Sequence, residues 1–97
     1  MSDRPKPEVL RRSFEIKNRL GLHARAATVF IETIKSFDAA IRVTKDDQEV
    51  DGKSIIGLLM LAAVPGSLID VSAEGPDAEA ALQAIEAIID RRFGEES

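Results

Sequence analysis

The sequence contains no cysteine, no tryptophan and no tyrosine, and a single histidine, His23. Without cysteine, disulfides and thiolate metal sites are excluded, and a cytoplasmic location is the natural expectation. Aromatic residues amount to 4%, all phenylalanine, and form no platform for stacking bases. Basic residues are not in excess either. Thirteen Lys and Arg stand against 17 Asp and Glu, a formal charge of -4, so no nucleic-acid partner is expected. No apolar run is long enough to cross a bilayer, and membrane insertion is not expected. Residues 1–12 lack the apolar segment of a secretory signal; with Arg4, Pro5, Lys6 and Pro7 they read as a flexible basic extension.

What remains is 97 residues, 44% of them hydrophobic, enough for one domain around one core, placed here at 13–94. Residues 13–17 alternate polar and apolar, with Phe14 and Ile16 on one side of a short strand. From Ala24 the period changes. Ala27, Phe30, Ile31 and Ile34 make the stripe of an amphipathic helix running to about residue 36. Ile41 and Val43 alternate in a second strand, Asp46 and Asp47 turn the chain, and 48–51 return as a third. Ser54 suits the cap of a short helix reaching residue 61. Pro65 and Gly66 stop it, and 67–73 form a fourth strand with Ile69, Val71 and Ala73 facing one way.

The last element is a helix opening near Pro76, with Asp77 and Glu79 suited to its positive start. Its stripe runs Ala78, Ala81, Leu82, Ile85, Ile88, Ile89 and Phe93, with Arg91 and Arg92 in its last turn and Gly94 ending it. The order β-α-β-β-α-β-α, with one apolar face per strand, predicts an α+β fold. It is an open-faced two-layer sandwich, a four-stranded antiparallel sheet with three helices on one face.

His23 lies just before the first helix, behind Gly21 and Leu22. The first amides of a helix lack intrahelical partners and carry the positive end of its dipole, so a phosphate finds donors there. Arg25 adds a guanidinium to the same anion. Imidazole titrates near neutrality, so a neutral ring nitrogen is available as a nucleophile. A lone histidine at a helix start is more often a surface or capping residue, and one residue is a weak motif. No metal site is expected from one histidine without cysteine, and no nucleophile elbow is present. Gly52-Lys53-Ser54 is not a nucleotide loop, because Asp47 occupies the place of that motif's first glycine.

Three separated segments carry a resemblance. Gly21-Leu22-His23-Ala24-Arg25, followed by Ala27-Thr28, resembles the active-site motif of the HPr family. These are phosphocarriers of the bacterial phosphoenolpyruvate-dependent phosphotransferase system. The run from Asp51-Gly52-Lys53-Ser54 to Leu61 resembles that family's second signature, around a regulatory serine. Gly66-Ser67 through Ala73, with Gly75, Asp77 and Ala81-Leu82, resembles its last strand and helix.

The resemblance implies that enzyme I phosphorylates His23 at Nδ1 and that His23 passes the group to EIIA-type acceptors. It implies that Arg25 stabilises the transferring group and that HPr kinase/phosphorylase acts on Ser54. It also implies that Ala24, Ile55, Ile56 and Leu59 dock the partners. A cofactor-free relay protein, monomeric, is the expectation, rather than a stand-alone enzyme. The competing reading is a ferredoxin-like α/β binding module in which His23 is incidental. One departure from the family pattern is Ala26, where proline usually follows the arginine.

Overall fold

The computed structural model describes residues 9–95. Four strands, β1 (Val9–Glu15), β2 (Ala40–Lys45), β3 (Gln48–Asp51) and β4 (Leu68–Glu74), form one sheet in the order β1-β4-β2-β3. Every neighbouring pair is antiparallel. Three helices, α1 (Ala24–Ile34), α2 (Ile55–Met60) and α3 (Ala78–Asp90), pack on one side, and a short 3-10 turn (Arg92–Gly94) follows. The open-faced α+β sandwich expected from the sequence is the fold observed.

The core lies between the layers. Phe14, Ile41, Val43, Ile69, Val71 and Ala73 point from the sheet toward Phe30 and Ile34 of α1, Leu58 of α2 and Leu82, Ile85 and Ile89 of α3. Val71 stands opposite Val43 on one side and Arg12 on the other, so the central strand supplies the middle of the apolar face. The opposite face of the sheet, with Arg11, Ser13, Asp70 and Arg42, is exposed. The β2–β3 hairpin closes through Asp46 (φ 50) and Asp47 (φ 68), the consecutive left-handed pair that matches the twist of two-residue hairpins.

Three expectations need correction. The first strand begins at Val9 rather than residue 13, so part of the extension assigned to 1–12 is paired with β4; residues 1–8 lie outside the described residues. Arg12 hid this, because it occupies an inward-facing position where an apolar residue would keep the alternation. There it reaches Glu79 of α3 at 2.8 Å. Second, the last helix starts at Ala78. Pro76 precedes it, and the Asp77 side chain accepts from the Asp38 amide at 2.7 Å instead of capping its own helix. Third, Phe93 is not on the α3 stripe. The helix ends at Asp90, Arg92 and Phe93 take left-handed conformations (φ 55 and 54), and Phe93 folds back to be buried.

Candidate functional site

The site is built on the loop from β1 to α1. Asn18, fully buried, donates from Nδ2 to the Gly21 carbonyl at 2.6 Å. Leu22 is buried as an anchor, and its amide donates to the Ala63 carbonyl at 2.8 Å. Between them Gly21 holds φ +69, a left-handed turn that glycine adopts without penalty. This clamp delivers His23 as the N-cap of α1. Its extended backbone places its carbonyl to accept the Ala27 amide at 2.8 Å, closing the first helical turn.

The ring is held at both nitrogens. Nδ1 accepts from the Arg25 amide at 3.3 Å, and Nε2 lies 2.5 Å from Oε2 of Glu95. A backbone amide only donates, so Nδ1 carries the lone pair. A carboxylate only accepts, so the proton sits on Nε2. The tautomer is thereby set, and the unprotonated nitrogen faces the first turn of α1. Around the ring lies an open cavity of about 520 Å³, lined also by Arg19, Leu20, Arg25, Phe93, Gly94 and Glu95. Among the described residues neither the Arg19 nor the Arg25 guanidinium is in an ion pair. Two cations outside any ion pair therefore line the cavity that holds the ring, a setting that favours an anion beside it.

Glu95 and Arg19 were not anticipated from the sequence. Glu95 stands 72 positions from His23 and reaches it only because the turn Arg92–Gly94 folds back after α3. Its carboxyl is held below the ordinary glutamate value, chiefly by the hydrogen bond from His23; desolvation opposes, and Asn18 and the Leu20 amide assist. A carboxyl depressed in the folded state stabilises the fold fully above its ordinary value of 4.5, and that contribution fades as pH falls through the depressed value. Glu95→Gln should therefore flatten the decline in stability below about pH 4.5, measured by urea unfolding at pH 7, 5, 4 and 3. An unchanged acid limb would mean that the pair does not form in solution.

The other expected residues are spread over neighbouring elements. Ser54 is the N-cap of α2, its Oγ accepting from the Gly57 amide at 3.1 Å. Ala24 is exposed at the start of α1. On α2, Leu58 alone is buried, whereas Ile55 (41%), Ile56 (69%), Leu59 (39%) and Met60 (63%) are exposed. Leu20, Val64 and Leu68 are further exposed apolar side chains that the sequence reading did not single out. Ala26 is fully buried, and its amide bonds no carbonyl outside the helix, so a proline at this place would forfeit no such hydrogen bond. Among the described residues no three His, Cys, Asp or Glu side chains gather as a metal site, and no helix is long and apolar enough to cross a membrane.

The family model described as the PTS HPr component phosphorylation site matches residues 10–91. The chain is 46% identical over 87 residues to the phosphocarrier protein HPr of Neisseria meningitidis, covering 90% of this chain and 98% of that protein. It is 43% identical over 88 residues to the phosphocarrier protein NPr of Shewanella violacea, covering 91% and 97%. The crystal structure of HPr from Thermoanaerobacter tengcongensis superposes with a TM-score of 0.87 at 42% identity, covering 91% of this chain and 99% of that one.

Proposed function

Because this chain belongs to the HPr family and is a phosphocarrier of the phosphotransferase system, we propose that His23 is the residue that carries the phosphoryl group. The observation that supports this most is the orientation of the ring: Nδ1, unprotonated, faces the first-turn amide of α1 beside Arg25 and Arg19. Phospho-enzyme I is the donor and EIIA-type domains are the acceptors, as in the family's system. The Nδ1 lone pair gives up its hydrogen bond from the Arg25 amide and forms the new P–N bond as the bond between phosphorus and the donor breaks. The reverse exchange passes the group to the acceptor. Arg25 and Arg19 counter the charge on the phosphoryl oxygens during both transfers.

The exposed side chains of α2 and Ala24 are where partners dock, the apolar residues excluding water around the transfer. The chain acts as a monomer in the cytoplasm. The reading of His23 as incidental to a ferredoxin-like binding module is not favoured: the HPr and NPr relatives named above match over nearly their whole length.

Ser54 is a control point. A phosphate on Ser54 adds about 1.5–2 negative charges at the end of α2, next to the docking residues Ile55 and Ile56. A kinase of the HPr kinase/phosphorylase type is the enzyme implied. Ser54→Asp should lower the rate of acceptance from enzyme I about tenfold, mainly through KM, since the charge disfavours docking rather than chemistry. A rate equal to that of the unaltered chain would remove the regulatory role.

The carrier role itself is tested by incubating the chain with phosphoenolpyruvate and purified enzyme I. The expected product is a phosphoprotein stable in base and labile in acid. Acid-stable label, or none, would overturn the assignment.

A further inference from the structure

We propose that Asn18 is a positioning residue for phosphoryl transfer: its buried side-chain amide locks the turn 18–21, so that Arg19 and the backbone of His23 hold one placement while Nδ1 exchanges its amide partner for phosphorus. This role rests on the reading of His23 as the carrier and adds a residue that the reading does not require.

Asn18 is an exception in the core. Among the described residues it is the one fully buried polar side chain. Its Oδ1 has no hydrogen-bond partner there, a state that lowers stability. A leucine branches at the same carbon and has no polar atom to leave unpaired. What a leucine could not supply is the donor at Nδ2.

That donor acts at the root of the site. Nδ2 bonds the Gly21 carbonyl at 2.6 Å, and the same carbonyl accepts from the His23 amide at 3.0 Å. The asparagine and the carrier residue thus share one acceptor. The Gly21 amide returns to the Asn18 carbonyl at 3.3 Å, a long bond that closes the turn only weakly by itself. Arg19 and Leu20 are the two central residues of this turn, both exposed and both on the cavity that holds the ring. Nδ2 also reaches Oε2 of Glu95 at 3.1 Å. Both partners of Nδ2 are acceptors, which fixes the amide orientation and leaves Oδ1 as the unpaired atom.

Transfer makes this placement matter. Before it, the bond from the Arg25 amide to Nδ1 ties the ring to α1. Once Nδ1 bonds phosphorus that tie is gone, and the position of the phosphorus depends on the backbone that carries the ring. A misplacement of about an ångström lowers a transfer rate by on the order of 10²-fold. The turn closed by Nδ2 keeps the His23 backbone and Arg19 in one relation through both halves of the exchange, and Asn18 itself neither gains nor loses a proton.

Stability and rate should therefore part company in Asn18→Leu. The Gly21 carbonyl keeps the His23 amide and Glu95 keeps the His23 ring, so no new buried group is left unpaired, and the unpaired oxygen is removed. Tm should stay within about 5 °C of the parent. With phospho-enzyme I, kcat should fall about tenfold at unchanged KM. Asn18→Asp, which keeps the shape and, ionised, has no donor, should lose at least as much. A measurement on the unaltered chain needs no variant to fold: scalar coupling across the hydrogen bond from Nδ2 to the Gly21 carbonyl carbon should be present and should survive phosphorylation. Loss of that coupling in the phosphorylated chain, full kcat in either variant, an effect wholly in KM, or a loss of rate that only tracks the unfolded fraction would overturn the positioning role and leave the carrier assignment standing. Failure of the unaltered chain to accept phosphate would defeat both.

Discussion

His23→Ala should reduce acid-labile phosphorylation by more than about 10³-fold, to background, while leaving the fold in place. The size of the effect follows from the site. The ring supplies the only histidine nitrogen in the chain, and there is no cysteine to take over as a nucleophile. On the proposed reading Arg19, Arg25 and the α1 amide would stabilise an anion but form no bond to phosphorus. The cost to stability is small by comparison. The side chain is half-buried at a helix N-terminus, and its contribution as a cap is one bond of 3.3 Å. Loss of an N-cap costs about 1 kcal/mol. Removing the ring also frees the Glu95 carboxylate, which keeps its bond from Asn18. The variant should therefore unfold cooperatively within a few degrees of the parent yet accept no label from enzyme I. Residual acid-labile label at more than a few per cent would place the carrier nitrogen elsewhere.

Gly21→Ala should be the most damaging small substitution in the site, because it acts on the scaffold rather than the chemistry. At φ +69 an L-residue pays about 1–2 kcal/mol. The added Cβ would also overlap the Ala63 carbonyl oxygen, the acceptor of the Leu22 amide, and approach Val64 Cα at 3.1 Å. Both neighbours are backbone, so relief requires the loop to leave the segment before β4. A total loss of about 2–4 kcal/mol is expected, lowering Tm by about 10 °C or more. Displacement of the loop moves Leu22 and, with it, the ring. Transfer should therefore fall about tenfold even at temperatures where the variant is folded. Thermal unfolding by circular dichroism and transfer rates at 15 °C read the two effects separately. A variant as stable as the parent would mean that the Gly21 turn is not held as described.

The elements with clean periods were legible from the residues alone. The stripe Ala27, Phe30, Ile34 and the alternation Ile69, Val71, Ala73 both point inward, and the Ser54 cap is where its hydroxyl and the following apolar run place it. Local chemistry failed in two places. An arginine at an inward position broke the pattern of β1, because its charge is satisfied by Glu79, 67 residues away. Phe93 continued the α3 spacing on paper, but the left-handed turn at Arg92 took it off the helix.

The histidine at a helix start was likewise visible, since the unpaired amides of a first turn are a local property. The carboxylate that orders its tautomer was not. No spacing rule links His23 to Glu95, and only the return of the chain after α3 brings them together. On α2 the sequence showed an apolar segment without saying which side faced out. Packing against α1 and β3 decided that, burying Leu58 and leaving Ile55, Ile56, Leu59 and Met60 to solvent.

The central claim is that the phosphoryl group resides on Nδ1 of His23. Long-range proton–nitrogen correlation spectra of the nitrogen-labelled chain, recorded after reaction with phosphoenolpyruvate and enzyme I, test it directly. The account predicts phosphorus coupling and a changed shift at Nδ1, with the proton still on Nε2. Phosphorus on Nε2, or a His23 ring left unchanged while the protein carries label, would contradict it.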